Sequence, residues 1–447
     1  MRVHFIAVGG SIMHNMAIAM HKLGHDVTGS DDIIYDPARG RLKAQGLLPE
    51  SEGWDAERIS SDLDLVIVGM HAHADNPELL KAQALDLDIQ SFPEYLGNHA
   101  ADKITVAVCG SHGKTTTTSM IMHILRKNRR SFDYAVGAAV EGFTDMVRLS
   151  DAPLIVIEGD EYLSSPLDSR PKFLHYDPDI AILTGLAWDH INVFPSYEDY
   201  LLAFKKLLGS ISKDGVLIYN QFDDEVSKFV KESNGHFKKL KYSEIEFKRS
   251  GESYSIRLND DEVTLHLYGV YNIQNLMAAW RACKELGLSD VEILGSLRDF
   301  KLPDKRMDTV FASPKLKIYK DYAHAPSKVR ASIGSFVEMS GTSTTVAVLE
   351  LHTYSSLNRD FIPLYKDVFK SVDHAILYFN PRNLTIKRLP EMKEDYIRKA
   401  FDQKDLQIVT DVERLKEHVK NLITDDCRIL LMSSSNFGGI VWEEIIE

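Results

Sequence analysis

The feature that most constrains this chain is the run Ile104-Thr-Val-Ala-Val-Cys109, followed at once by Gly110-Ser-His-Gly-Lys114-Thr-Thr-Thr-Thr118. An unbroken apolar run reads as a strand buried on both faces, and the Thr-Met-Ile-Leu pattern beyond the glycines reads as a helix. At such a turn the freed backbone N–H groups and the helix dipole favour an anion. Gly110 and Gly113 would let the backbone approach a phosphate, Lys114 would add a full positive charge, and the Thr115 hydroxyl would hold a magnesium ion. The general phosphate-loop pattern separates its glycines by four residues. Here only Ser111 and His112 intervene. Alone, the loop reads equally as an ordinary turn; the strand before it and the helix after it favour a nucleotide.

The same alternation recurs along the chain. Val3 to Val8 reads as a strand, followed by Gly9, Gly10 and a helix with Met13, Met16, Ala17 and Met20 on one side. A second strand, Asp26 to Thr28, ends in Gly29-Ser30-Asp31, as at the opening of a dinucleotide-binding βαβ unit, although Ala7 and Ile12 stand where that fingerprint has glycines. A βαβ unit packed without a ligand fits this stretch about equally well. Leu65 to Val68 reads as a parallel strand, with His71 and His73 in the turn that follows and Asn76-Pro77-Glu78 as cap, first residue and dipole-matching acid of the next helix. Two alternate loop histidines without a third ligand read as polar contacts rather than a metal pair.

Pro153 to Ile157 and Ile180 to Leu183 are expected strands whose ends carry Glu158-Gly-Asp160-Glu161-Tyr162 and Trp188-Asp189-His190. Ligands of open α/β sheets bind beyond the carboxyl ends of strands, so these groups and the glycine loop point to one site. Gly251 to Gly269 reads as a hairpin, and a helix follows from Tyr271 to Leu286 with Asn272 and Asn275 near its start. Strands at Lys315 to Tyr319, Thr345 to Leu351, Ala375 to Phe379 and Arg428 to Met432 alternate with helical patterns, giving a further α/β domain.

A chain of 447 residues, 44% hydrophobic, is long enough for about three cores. The net charge of −13 argues against a nucleic-acid or membrane-surface partner, since phosphate backbones are held by surplus Lys and Arg. Cys109, Cys283 and Cys427 are far apart in apolar stretches and read as buried thiols. No apolar run approaches the length of a membrane span, and Met1-Arg-Val-His-Phe enters a strand directly, so the expectation is a cytoplasmic protein, a monomer or weak homo-oligomer.

Taken in order, these motifs resemble those of the Mur ligases, ATP-dependent amide-forming enzymes of peptidoglycan assembly, over nearly the whole chain. Gly110-Ser-His-Gly-Lys-Thr-Thr116 resembles the family's short phosphate loop. Glu158 and His190 resemble its magnesium-binding acid and histidine, Asn272-x-x-Asn275 its nucleotide-side helix, and Arg306 with Asp321-Tyr-Ala-His324 the groups that complete the ATP site. The resemblance implies three domains: a Rossmann-like domain over 1–100 that binds UDP-N-acetylmuramate, a central ATP-binding domain over 101–303 and a Rossmann-like acceptor domain over 304–447. It implies ATP and magnesium (Mg2+) as cofactors. Lys114, Glu158, His190 and Arg306 would carry the catalysis. ATP would be held by Gly110, Ser111, His112, Gly113, Lys114, Thr115, Thr116, Asn272, Asn275, Arg306 and Asp321, and the metal by Thr115, Glu158 and His190. The UDP-sugar would meet Gly9, Gly10, Ser11, Ser30, Asp31 and His71.

Two members of the branch that takes UDP-N-acetylmuramate compete. One adds L-alanine; the other, a recycling enzyme, adds L-alanyl-γ-D-glutamyl-meso-diaminopimelate. Glu158-Gly-Asp-Glu-Tyr162, Lys172-Phe-Leu-His-Tyr176, Val348-Leu-Glu-Leu351 and Leu431-Met-Ser-Ser-Ser-Asn-Phe-Gly-Gly439 resemble the recycling ligase more. Leu163 stands where that enzyme usually has Asp, and Ala325 replaces a second His. Lys205 and Lys206 follow His190 at the distance of the carbamylated lysine that some members carry. Other classes fit less of the chain: an NAD-dependent nucleotide-sugar oxidoreductase leaves the phosphate loop unexplained, a switch ATPase needs no carboxylate or amine cosubstrate, and a non-catalytic sugar binder leaves the ATP-site residues idle.

Overall fold

The computed structural model describes residues 1–250, 253–258, 261–267, 269–303 and 307–442. Three parallel or mostly parallel sheets follow one another along the chain, with a small antiparallel sheet between the second and third. Met1–Leu186, Glu198–Ile245 and Asn275–Phe300 pack as one compact unit, and Ala187–Tyr197, Glu246–Gln274 and Lys301–Glu447 as a second.

In the first unit, the N-terminal sheet runs Asp26–Ser30, Arg2–Ile6, Leu65–Val68, Ile89–Ser91 in spatial order, all parallel. Its order reverses between Arg2–Ile6 and Leu65–Val68, so the carboxyl ends of those two strands open a crevice. Leu65–Val68 is buried along its whole length, and Ile6, Val66 and Val68 pack with Leu79 and Ala82. Asn76 caps the helix Pro77–Ala84 by accepting from the N–H groups of Glu78 and Leu79, with Pro77 at the first helical position, as its sequence dictates. Residue 100, the implied end of the first domain, is the last residue of the helix Phe92–Ala100, which opens on a Ser91–Glu94 capping box.

The second sheet places Ile104–Cys109 at its centre, between Ile180–Leu183 and Leu154–Gly159, each pair parallel. Val216–Tyr219 and Lys238–Lys241 extend it on one side; Asp133–Ala135 and the antiparallel Val147–Arg148 extend it on the other. Lys238–Lys241 is polar, and Asp133–Ala135 and Val147–Arg148 are too short to carry a pattern; Val216–Tyr219 is an apolar run of the readable kind that the sequence reading left out.

In the second unit, Phe247–Ser250, Ser253–Leu258 and Asp261–Leu265 form an antiparallel sheet, so the expected hairpin gains a third strand. The six-stranded sheet contains Leu316–Asp321, Cys427–Met432, Thr344–Glu350, His374–Tyr378 and Gln407–Val409 in parallel, with Asp308–Ala312 antiparallel at one edge. Alternation along Thr344–Glu350 sends Ala347 and Leu349 to a cluster with Phe336, Phe361 and Tyr365, and Val346 and Val348 to one with Leu415 and Phe437. Both faces are therefore covered, as a parallel sheet requires. All three cysteines are free and buried, in agreement with the sequence. Among the described residues, no helix is long and apolar enough to cross a membrane.

Candidate active site

The glycine loop leaves the central strand of the second sheet and enters the helix Lys114–Lys127. Gly110 and Gly113 both have positive φ, 125° and 73°. A side chain at Gly110 would collide with Thr184 Oγ1 and the Gly185 backbone, and one at Gly113 with Asn275 Oδ1. Both positions therefore demand glycine on conformational and steric grounds. Asn275 thus lies against the loop. Ser111 N–H donates to Gly185 O at 3.0 Å, and Thr184 Oγ1 donates to the carbonyls of Cys109 and His112, fixing the shape of the turn. Thr116, on the first turn of the helix, is buried.

Lys114 curls back over this loop. Its ammonium donates to Gly110 O at 2.7 Å and to Glu161 Oε2 at 2.5 Å. Burial alone would depress its pKa, but the carboxylates of Glu161, Asp160 and Glu158 more than reverse this and hold it above the ordinary lysine value. At the next residue, the Thr115 hydroxyl donates to Glu158 Oε1 at 2.8 Å, while Gly137 N–H donates to Glu158 Oε2 at 2.7 Å. The fold thus brings a loop lysine, a helix-start threonine and a strand-end glutamate together from two adjacent parallel strands. Hydroxyl and carboxylate oxygens are the hard donors that magnesium takes.

The crevice of the N-terminal sheet forms a cavity of about 220 Å³ lined by Gly10, Ser11, His71, Gly137, Ser164 and Lys172, with Ala7, Met13, Phe92 and Met146 among the apolar walls. Gly10, Ser11 and His71 therefore share one cavity. Gly9, Ser30 and Asp31, expected at the same ligand, are not part of its lining. Gly9 N–H donates to Asp31 Oδ2 at 2.7 Å, and the buried Ser30 hydroxyl donates to Glu78. Burial and a hydrogen bond with Asp32 raise the Asp31 carboxyl to about 6. The loop after Gly137 grips the N-terminal helices: Asp145 accepts from Lys22 at 2.5 Å and Arg41 at 2.7 Å, and Met146 N–H donates to Asn15 Oδ1 at 2.9 Å.

In the second unit, His190 has a φ of 56° and its N–H donates to Asp189 Oδ1 at 2.8 Å. Burial would raise the Asp189 carboxyl, but Lys328, His190 and His324 hold it well below the usual range. Lys328 Nζ lies 3.4 Å from Asp189 Oδ2. Burial and Lys328 push His324 down to about 4. Asn272 is buried at the start of the helix Val270–Glu285 and its N–H donates to Gly269 O. Asp321 is buried and accepts from Ala323 N–H, Ser332 Oγ and Met307 N–H at 2.8, 3.0 and 3.0 Å. It thus anchors the residue that follows Arg306; Arg306 itself lies outside the described residues.

The sequence reading assigned no role to Glu161, Gly137, Met146, Ser164 or Lys172. Glu161 and Lys172 stand inside stretches already singled out. Gly137, Met146 and Ser164 belong to loops with no pattern, and only the fold brings them to the cavity.

Comparison with known proteins gives a consistent result. Residues 2–104 match the description "Mur ligase family, catalytic domain", and residues 108–283 match "Mur ligase middle domain". Together these span well over half of the chain. The UDP-N-acetylmuramate--L-alanyl-gamma-D-glutamyl-meso-2,6-diaminoheptandioate ligase of Escherichia coli K12 is 28% identical, over 98% of this chain and 96% of that protein. The UDP-N-acetylmuramate--L-alanine ligase of Caldicellulosiruptor bescii is also 28% identical, over 79% of this chain and 78% of its own. The crystal structure of a murein peptide ligase from Psychrobacter arcticus superposes with a TM-score of 0.70 at 21% identity, covering 100% of this chain and 98% of that one.

Proposed function

Because this chain belongs to the Mur ligase family, we propose that it joins the carboxylate of UDP-N-acetylmuramate to the amine of L-alanyl-γ-D-glutamyl-meso-diaminopimelate at the expense of ATP. The observation that carries the reading is the full-length match to a ligase of that specificity, 98% of this chain on 96% of the relative. The local geometry supports the chemistry. In this reading residues 1–100 bind the sugar nucleotide, 101–303 bind ATP and 304–447 receive the acceptor, and the enzyme works in the cytoplasm.

The loop amides and Lys114 hold the ATP phosphates at the helix N-terminus, with Asn275 beside the loop. Thr115, Glu158 and His190 would hold magnesium, which supplies charge neutralisation on phosphate oxygens. The sugar-nucleotide carboxylate attacks the γ-phosphate, giving an acyl phosphate and ADP. The neutral amine of the acceptor attacks the acyl carbon, and the tetrahedral intermediate collapses to an amide and inorganic phosphate. Both steps develop negative charge on oxygen, which preorganised N–H groups and Lys114 stabilise most where water is excluded. Asp321 serves by holding the backbone next to Arg306, which would add a cation to the ATP phosphates.

The second reading keeps the reaction and changes the acceptor to L-alanine, as in the Caldicellulosiruptor bescii relative. One assay separates them: incubation with ATP, magnesium and UDP-N-acetylmuramate plus either acceptor, with product identification by mass. A tripeptide adduct supports the first reading, an L-alanine adduct the second. Phosphate release without either product would sink both.

A further inference from the structure

The cavity between the first two sheets has one formally charged side chain in its wall, that of Lys172. Its position is built rather than incidental. Lys172 N–H donates to Tyr162 O at 3.0 Å, Phe173 N–H to Asp160 O at 3.2 Å and Ser164 N–H to Arg170 O at 3.0 Å, so the segment is laced to the turn after Leu154–Gly159. The ammonium then reaches Asp160 Oδ2 at 2.6 Å and lies 5.8 Å from the ring centres of both Phe92 and Tyr162. The side chain is 16% exposed. An ammonium carries three donors; Asp160 takes one, and Lys172 shares the cavity lining with Phe92, Gly10, Ser11, Gly137 and Ser164.

A nucleotide sugar brings two kinds of anion to this cavity, a diphosphate and, if it is a muramic acid derivative, a carboxylate. A helix N-terminus in the lining offers the diphosphate a place of its own. Gly10 and Ser11 open the helix Ser11–Lys22, whose amides and dipole favour phosphate oxygens. Lys172 shares the lining with Gly137, whose N–H is bonded to Glu158. Asp160, its partner, is two residues from Glu158 on the same turn.

We propose that Lys172 is the substrate-side cation of this cleft, and that its ammonium binds the reactive carboxylate of the nucleotide sugar. This rests on the reading of the cavity as the nucleotide-sugar site. Lys172 then selects for sugars that carry a carboxylate and turns that group toward Thr115 and Glu158. A point charge on a pinned backbone and between two rings suits this task, since its reach is set by the fold and not by the ligand.

The test is binding of UDP-N-acetylmuramate and of UDP-N-acetylglucosamine, which lacks the carboxylate, by calorimetry without ATP. Wild-type protein should prefer the carboxylated sugar. Lys172→Met should weaken UDP-N-acetylmuramate by about 10- to 100-fold, the range of a charge-assisted hydrogen bond, and leave UDP-N-acetylglucosamine within about threefold by the same principle. Lys172→Arg should restore most of the preference. Equal weakening of both ligands would overturn the proposal in favour of a diphosphate contact. Unchanged binding of both would overturn it in favour of a mere tether for Asp160. Wild-type protein that binds neither sugar would overturn the nucleotide-sugar reading itself, and this proposal with it.

Discussion

The Lys114 ammonium stands 2.5 Å from the Glu161 carboxylate, and Glu161 is fully buried while the lysine side chain is 12% exposed. The lysine proposed to meet ATP phosphate thus already has an internal counter-ion. A phosphate arriving at the loop has to share or displace it. Removing one partner of a buried pair leaves the other uncompensated, a loss of about 3–5 kcal/mol when burial is complete and less when water reaches one member. Glu161→Gln should therefore lower the melting temperature of the free protein and enlarge the upward shift caused by ADP, because nucleotide then supplies the missing negative charge. Thermal melts with and without ADP check this. An equal ADP shift in both proteins would mean that Glu161 does not compete with phosphate.

Lys114→Ala removes the cation together with its bonds to Gly110 O and Glu161. Loss of one preorganised charge-stabilising group costs about 10²- to 10³-fold in turnover, so ligase activity should fall by at least that much while the protein remains folded. Wild-type turnover in the variant would remove the loop from the mechanism.

Thr115 and Glu158 meet at 2.8 Å and supply the oxygen atoms proposed for magnesium. Glu158→Gln also weakens the acceptor for Gly137 N–H. The expected result is a rise of about tenfold or more in the magnesium concentration for half-maximal activity, by analogy with the loss of one hard ligand. A magnesium titration of initial rates reads it directly, and an unchanged midpoint would return both residues to a structural role.

The sequence made the first two layers of this molecule legible and hid the third. Strands such as Leu65–Val68 and Ile180–Leu183 were readable to the residue because burial on both faces leaves an unbroken apolar run. The Asn76-Pro77 cap was readable because its bonds are local. Asp133–Ala135 and Gln407–Val409 were not, since three residues carry no periodicity. The site divides the same way. Lys114, Thr115 and Glu158 sit at strand ends where chemistry is expected, whereas the grip of Asp145 on Lys22 and Arg41 joins residues more than a hundred positions apart. Asp321 shows a further limit: its sequence motif marks it, but only the structure reveals that its oxygens are taken up by Met307, Ala323 and Ser332.

Ala7 illustrates how a departure from a pattern becomes physical. It stands where a nucleotide-binding fingerprint has glycine, and it adopts a φ of 69°. A left-handed conformation costs an L-residue about 1–2 kcal/mol, and glycine gives back about 0.5–1 kcal/mol of that through its looser unfolded state. Ala7→Gly should leave stability unchanged or raise it by up to about 1.5 kcal/mol on the same arithmetic. Urea unfolding measures this, and a clear loss of stability would show that the Ala7 methyl is held by packing worth more than the strain.

Glu78 ties acid stability to the shape of the sugar-nucleotide crevice. It is fully buried, and it accepts from Asp55 N–H at 2.9 Å and from Ser30 Oγ, with His4 Nε2 and Arg58 each at 3.4 Å. Burial alone would raise its pKa; the bonds from His4, Asp55 and Ser30 outweigh that and lower it below the ordinary 4.5. A carboxyl whose folded value is depressed contributes stability that is present above the unfolded value and is lost as pH falls through the folded one. In the acid range the unfolded chain then binds the proton first, so stability declines as pH drops below 4.5. Glu78→Gln cannot titrate. It should lose about 1–3 kcal/mol at neutral pH, the cost of charge-assisted bonds left poorly matched, and it should show a shallower decline below pH 4.5 than the parent. Because Ser30 precedes Asp31, and Asp31 holds Gly9 N–H, the same variant should also weaken UDP-sugar binding. Urea titrations from about pH 3 to about pH 7 test the stability claim: parallel curves for parent and variant would show that Glu78 is not the group whose protonation loosens this unit.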